Sequence, residues 1–278
     1  MGADKTGWER ERRTHFDEIV VNYDNIRPEY PGKLFADIFS YIGENTDIKA
    51  LEIGAGTGKA TAHFLEAGYD VTAVELGENM AEFLQVRFEG HKNFNVIVSA
   101  FEDVGLEDNS YDLIYAASAF HWVNAEIGCP KVANLLKSGG VFALFRYNFL
   151  ATHNEALDSD IHAVYTKHYF SYYTSKSTAT RIRRTHDEFE EPSKIFSNYG
   201  FEDLRDYGFH DVSLNFYDVT WTLDADGYIK LLDTFADHRG LPEENRIALY
   251  AGIKEAISKH GGYIKEDDVF QLYMGRKL

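Results

Sequence analysis

Between Ile48 and Arg146, short apolar runs alternate with stretches in which apolar residues recur every three or four positions. The runs Ala50–Ile53, Val71–Glu75, Asn95–Ala100, Asp112–Ala117 and Val141–Phe145 predict strands. Several are continuously apolar, as expected of parallel strands covered on both faces. Between the first two, Ala60, Phe64 and Ala67 share one helical face and Gly68 predicts the helix stop. Met80, Phe83, Leu84 and Phe88 form a second stripe that ends near Gly90. Strands and helices in this alternation predict a doubly wound α/β core.

Beyond Phe145 the pattern changes. Residues 147–190 are rich in Tyr, His, Ser and Thr, and "HAVYTKHYFSYY" reads as a helix, or helix plus loop, with many aromatics. A helix follows over Pro192–Tyr199 and a strand over Asp211–Leu223. Tyr228, Leu231, Leu232 and Phe235 repeat at helical spacing, as do Tyr250, Ile253 and Ile257. Val269–Met274 closes the chain as a strand with Phe270, Leu272 and Met274 on one face. No repeat or linker interrupts the chain, so this part elaborates the same sheet. The expected division is a helical cap over 1–47, a ligand-binding core over 48–146, a lid or substrate insertion over 147–200, and strands and helices completing the sheet over 201–278.

Composition narrows the function. The 278 residues are 44% hydrophobic and 26% charged, as in a globular protein. No apolar run approaches the roughly 20 residues of a membrane span, and the polar N-terminus does not read as a secretory signal. The expectation is a cytoplasmic protein away from membranes. A lone cysteine, Cys129, excludes an intrachain disulfide and reads as packing. The net charge of −17 argues against nucleic acid as partner. Basic clusters at Arg10, Arg12, Arg13 and at Arg181, Arg183, Arg184 are interspersed with acids and read as solvated faces. Met1–Thr6 fits the myristoylation pattern, a short match that chance explains. His162 and His168 bring no tight ligand cluster, so no metal is expected.

The candidate chemistry sits after the first strand. Gly54, Gly56 and Gly58 give a G-x-G-x-G spacing, whereas a dinucleotide turn needs a glycine where Lys59 stands. Glu52 precedes the turn; its carboxylate would repel a pyrophosphate but suits an ammonium or sulfonium. Glu75 follows about 20 residues after the turn, where an acid can accept both ribose hydroxyl protons. An adenosyl ligand without phosphates satisfies all three features, and S-adenosylmethionine is the candidate.

Glu52-Ile53-Gly54-Ala55-Gly56-Thr57-Gly58 resembles the first motif of class I S-adenosylmethionine-dependent methyltransferases. Further landmarks follow in that family's order: Ala100-Phe101-Glu102-Asp103, Tyr111-Asp112-Leu113-Ile114 and Leu136-Lys137-Ser138-Gly139-Gly140, where Ser138 replaces the usual proline. Tyr23, Arg27-Pro28 and Tyr30-Pro31, with Phe120-His121-Trp122, resemble the small-molecule subgroup related to trans-aconitate methyltransferase. The resemblance implies a Rossmann-like, mostly parallel seven-stranded sheet with an antiparallel C-terminal strand and a helical lid insertion.

It also implies roles. Glu52 would lie near the methionine ammonium, while Gly54, Gly56, Thr57 and Gly58 wrap the methionine and ribose. Glu75 would hold the ribose diol, Leu76 and Met80 would flank the adenine, and Ala100, Phe101 and Glu102 would reach the base. Arg27 and Tyr30 would close over the cofactor or attract a substrate carboxylate, unless Arg27-Pro28 merely ends the N-terminal helix. Phe120, His121, Trp122, Arg146 and Tyr147 would face a small-molecule acceptor, a carboxylate or hydroxyl, with His121 as a candidate base. Two rivals stay open: a nicotinamide-dependent oxidoreductase and a non-catalytic cofactor-binding protein. The acceptor and the oligomeric state are not legible.

Overall fold

Residues 24–44, 47–173 and 203–278 are described by the structure, a computed structural model. The apolar runs form the strands β1 (Lys49–Ile53), β2 (Asp70–Glu75), β3 (Phe94–Val98), β4 (Tyr111–Ala117) and β5 (Leu136–Thr152), joined by β6 (Phe209–Asp224) and β7 (Tyr263–Lys277). They make one seven-stranded sheet in the order β3-β2-β1-β4-β5-β7-β6. The first five pair in parallel, and β7 runs antiparallel to both neighbours. The strand order reverses between β1 and β4, where the carboxyl ends of the strands leave a crevice for a ligand. This is the expected α/β architecture.

Helices cover both faces because each presents one apolar stripe. On one side α1 (Gly32–Ile42) buries Leu34, Phe35 and Ile38. Beside it α2 (Lys59–Glu66) buries Ala60, Phe64 and Leu65, and α3 (Glu78–Arg87) buries Met80, Ala81 and Leu84. On the other side α4 (Ala125–Leu135) is capped by Asn124, whose side chain accepts from the Glu126 amide. It buries Cys129, Val132 and Leu135 against Phe120 and Phe142.

The last three strands outrun the prediction. β5, β6 and β7 have 17, 16 and 15 residues, roughly 50 Å each at ~3.3 Å per residue. Residues 147–152, expected to begin the insertion, therefore belong to the sheet. Past them, α5 (Glu155–Tyr165) starts at Asn154, whose side chain accepts from the amides of Ala156 and Leu157. The lobe is completed by α6 (Ala225–Leu232), α7 (Ala236–Arg239) and α8 (Glu243–Lys259). Leu157, Ile161, Leu231, Leu249 and Ile253 form its core, packed on Ile264 of β7. The readings at Met1–Thr6, the arginine clusters near residues 10 and 181, Tyr23 and Pro192–Tyr199 lie outside the described residues.

Candidate active site

The turn from β1 into α2 is built on left-handed backbone. Gly54, Gly56 and Gly58 have φ of +68°, +57° and +84°, a region L side chains avoid. Space adds a second requirement: a Cβ on Gly54 would lie 2.6 Å from Ala119 Cβ, and one on Gly58 2.5 Å from the Phe88 ring. The free edge of the turn is closed by Glu75 at the end of β2. Its Oε2 accepts from the Gly56 amide at 2.7 Å and its Oε1 from the Gly77 amide at 3.0 Å.

Glu52 does not occupy its expected place beside a ligand ammonium. Leu51 and Ile53 share one face of β1, and strand alternation turns Glu52 to the other, under α2. It is fully buried, and Oε2 accepts from the hydroxyls of Thr61 and Tyr115. Burial, partly offset by these two bonds and reinforced by nearby Glu75, pushes the carboxyl up to about 8. At neutral pH it is mainly a neutral acid under the turn.

Above the turn lies a cleft of about 1120 Å³, its open mouth included. Gly54, Gly56, Thr57, Glu75, Leu76 and Met80 line one part, and Ala100, Phe101 and Glu102 extend the wall. Thr57 Oγ1 is buried without a hydrogen-bond partner. Gly58 is absent from the wall; it sits beneath, against Leu84 and Phe88.

The opposite part is lined by Arg27, Tyr30, Trp122 and Tyr147. Arg27 donates to the Tyr147 hydroxyl and, at 2.7 Å, to the Thr234 carbonyl of the lobe, and stacks 4.3 Å from the Phe235 ring centroid. Tyr30 donates to Ser118 Oγ at 3.1 Å. Three expected acceptor-side residues do not reach the wall. Phe120 is core, edge-on to Phe142. Arg146 turns to Asn148 Oδ1 at 2.8 Å. His121 packs 5.0 Å from the Trp122 ring, and its Nδ1 has no partner. Burial, with the positive charges of Arg146 and Arg27, pushes the imidazole down to about 3.

Sequence reasoning missed Lys59, Ser99, Ser118 and Val123, all on the wall. Ser118 holds φ +54° without being glycine, and nothing in its identity signals that strain. Lys59 was visible only as a missing glycine; it lines the cleft and ion-pairs with Glu29. Cys129 is buried with its thiol pushed up to about 12, a packing residue. No group of acids, His or Cys suited to a metal occurs among the described residues, nor any helix long and apolar enough to cross a membrane.

The residues present suit S-adenosylmethionine better than a dinucleotide. The Gly56 amide, which would face a pyrophosphate, is taken by the Glu75 carboxylate. Comparison with known proteins leads to the same class. Residues 51–144 match the model of a methyltransferase domain. A protein of Dictyostelium discoideum named as a methyltransferase is 29% identical over 66% of this chain and 66% of its own. An uncharacterized methyltransferase of Mycobacterium tuberculosis is 32% identical over 49% of this chain and 53% of its own. The chain thus spans about half to two thirds of the length of these relatives. In fold, it superposes on a type II methyltransferase of Anaeromyxobacter dehalogenans with a TM-score of 0.60 at 19% identity, covering 90% of this chain and 97% of that one. Over residues 51–144 the chain is thus similar to a methyltransferase domain.

Proposed function

We propose that the protein transfers a methyl group to the carboxylate of a small molecule bound between the turn and the Arg27–Tyr147 wall. The observation that carries this reading is the shared cleft: the glycine turn with Glu75 lines one part, and Arg27, Tyr30, Trp122 and Tyr147 line another. When bound, S-adenosylmethionine supplies a methyl group already activated on a sulfonium. Glu75 accepts from the ribose hydroxyls, and Leu76, Met80 and Phe101 enclose the base. What remains for the chain is to align the acceptor and exclude water.

Two features favour a carboxylate over a hydroxyl. Arg27, whose Nη1 and Nη2 donate to Tyr147 and Thr234, places a fixed positive charge on the wall, which favours an anion over a neutral acceptor. A hydroxyl would need a base with a pKa near the working pH, and His121, pushed down to about 3 and set back from the wall, does not supply one. A carboxylate attacks as the anion and loses no proton. The resemblance of Arg27-Pro28 and Tyr30-Pro31 to relatives of trans-aconitate methyltransferase supports the same choice. A Bacillus cereus relative, 31% identical over 39% of this chain and 42% of its own, is named malonyl-[acyl-carrier protein] O-methyltransferase.

The test is incubation with radiolabelled S-adenosylmethionine and a panel of small carboxylic acids, beside their amides and alcohols. Label in a base-labile ester is the expected result. Label confined to amides, amines or alcohols would overturn the carboxylate assignment.

A further inference from the structure

We propose that Arg87, at the last position of α3 and off the cleft wall, is a positioning residue for the cofactor; the inference rests on the methyltransferase reading above. Its Nη1 donates to the Thr57 carbonyl at 3.0 Å and to Asp24 Oδ1 at 2.7 Å. One side chain therefore grips the glycine turn by its backbone and the N-terminal segment by a carboxylate. Thr57 itself lies on the cleft wall, between Gly56 of the turn and the start of α2, and its carbonyl is held by Arg87. Fixing that carbonyl fixes the backbone of a residue that forms part of the cleft wall.

The surroundings of Arg87 favour this task. The end of α3 is the seat of the turn: a Cβ on Gly58 would meet Leu84 at 2.7 Å as well as Phe88. A cation is favoured at a helix C-terminus by the aligned peptide dipoles. The guanidinium also lies 5.7 Å from the Phe88 ring centroid. Its grip on Asp24 extends the effect to the segment that crosses the cleft, where Arg27, Pro28 and Tyr30 line the wall. Glu29 pairs with Lys59, and Tyr30 with Ser118, further along the same strap. Arg87 thus ties the turn below the cofactor to the strap beside it.

The experiment measures S-adenosylhomocysteine affinity by calorimetry and its dissociation by stopped flow, with the full chain. Arg87→Ala is expected to weaken binding about 2- to 30-fold, the range by which residues without ligand contact modulate affinity. Arg87→Lys, which keeps the charge and one donor direction, restores part of the loss. Asp24→Asn speeds dissociation in the wild-type background and adds nothing once Arg87 is Ala. The melting temperature of the ligand-free variants, within a few degrees of wild type, separates this from general destabilisation. Unchanged affinity in Arg87→Ala, or a loss that merely follows a fall in melting temperature, overturns the assignment. Should Arg87→Ala fail to fold, Asp24→Asn decides, and an unchanged dissociation rate refutes the coupling. A wild type that does not bind S-adenosylhomocysteine sinks the methyltransferase reading itself, a result distinguishable from a variant that binds as well as wild type.

Discussion

Replacing Glu52 by Gln isolates one buried proton. The native carboxyl titrates at about 8 against an ordinary value of 4.5. Because the native value is the higher one, the folded state holds more protons than the unfolded chain between those limits. Its contribution to stability is complete below 4.5 and is lost as pH rises towards 8. The slope is about 1.4 kcal/mol per pH unit, so roughly 3 kcal/mol disappears between pH 5.5 and 7.5. Gln keeps a carbonyl oxygen for the Thr61 and Tyr115 hydroxyls but does not titrate. Buried Asp268, pushed up to about 8 by burial and neighbouring Glu266, contributes to the pH dependence of both proteins and cancels in the difference. Urea unfolding of wild type and Glu52→Gln at pH 5.5, 6.5 and 7.5 reads that difference directly. The variant should gain on wild type by about 1.4 kcal/mol per pH unit. Parallel profiles, within ~0.5 kcal/mol, would refute the buried neutral acid.

Two further outcomes follow from packing. Gly58→Ala should destabilise the fold by at least ~1 kcal/mol, since it combines a left-handed backbone with a Cβ driven into Phe88; a melting temperature equal to wild type would contradict the contact. Cys129, buried and with its thiol pushed up to about 12, should resist a thiol reagent in the native protein at pH 8 and react fully in denaturant, with absorbance of the released chromophore as readout. Rapid native labelling would show that the face of α4 bearing Cys129 is not held against the core.

The core was legible because parallel strands covered on both faces carry continuous apolar runs, as Ala50–Ile53 and Val141–Phe145 do. The glycine turn was legible because no other residue accommodates its φ values beside Ala119 and Phe88. The first half of β7 was not, because Glu266 and Asp268 read as loop residues yet are 6% and 2% exposed. Charged side chains are rarely buried, so nothing in "IKEDD" announces an inner strand. The direction of Glu52 follows from alternation along β1, but its residue type pulled the reading towards a ligand. His121 misled in the same way: its type suggested a base, whereas its basicity is set by burial and two arginines that meet only in the fold.

The long strands have a mechanical consequence. β5 and β7 pair from Val141–Arg276 to Thr152–Glu266, with one register shift between Phe149 and Ala151, and the lobe helix α5 follows directly from the far end of β5. A change in the lobe transmits strain along backbone hydrogen bonds and not through a linker. The lobe's placement is thereby set by backbone pairing, so a change of register between β5 and β7 would shift it as a unit.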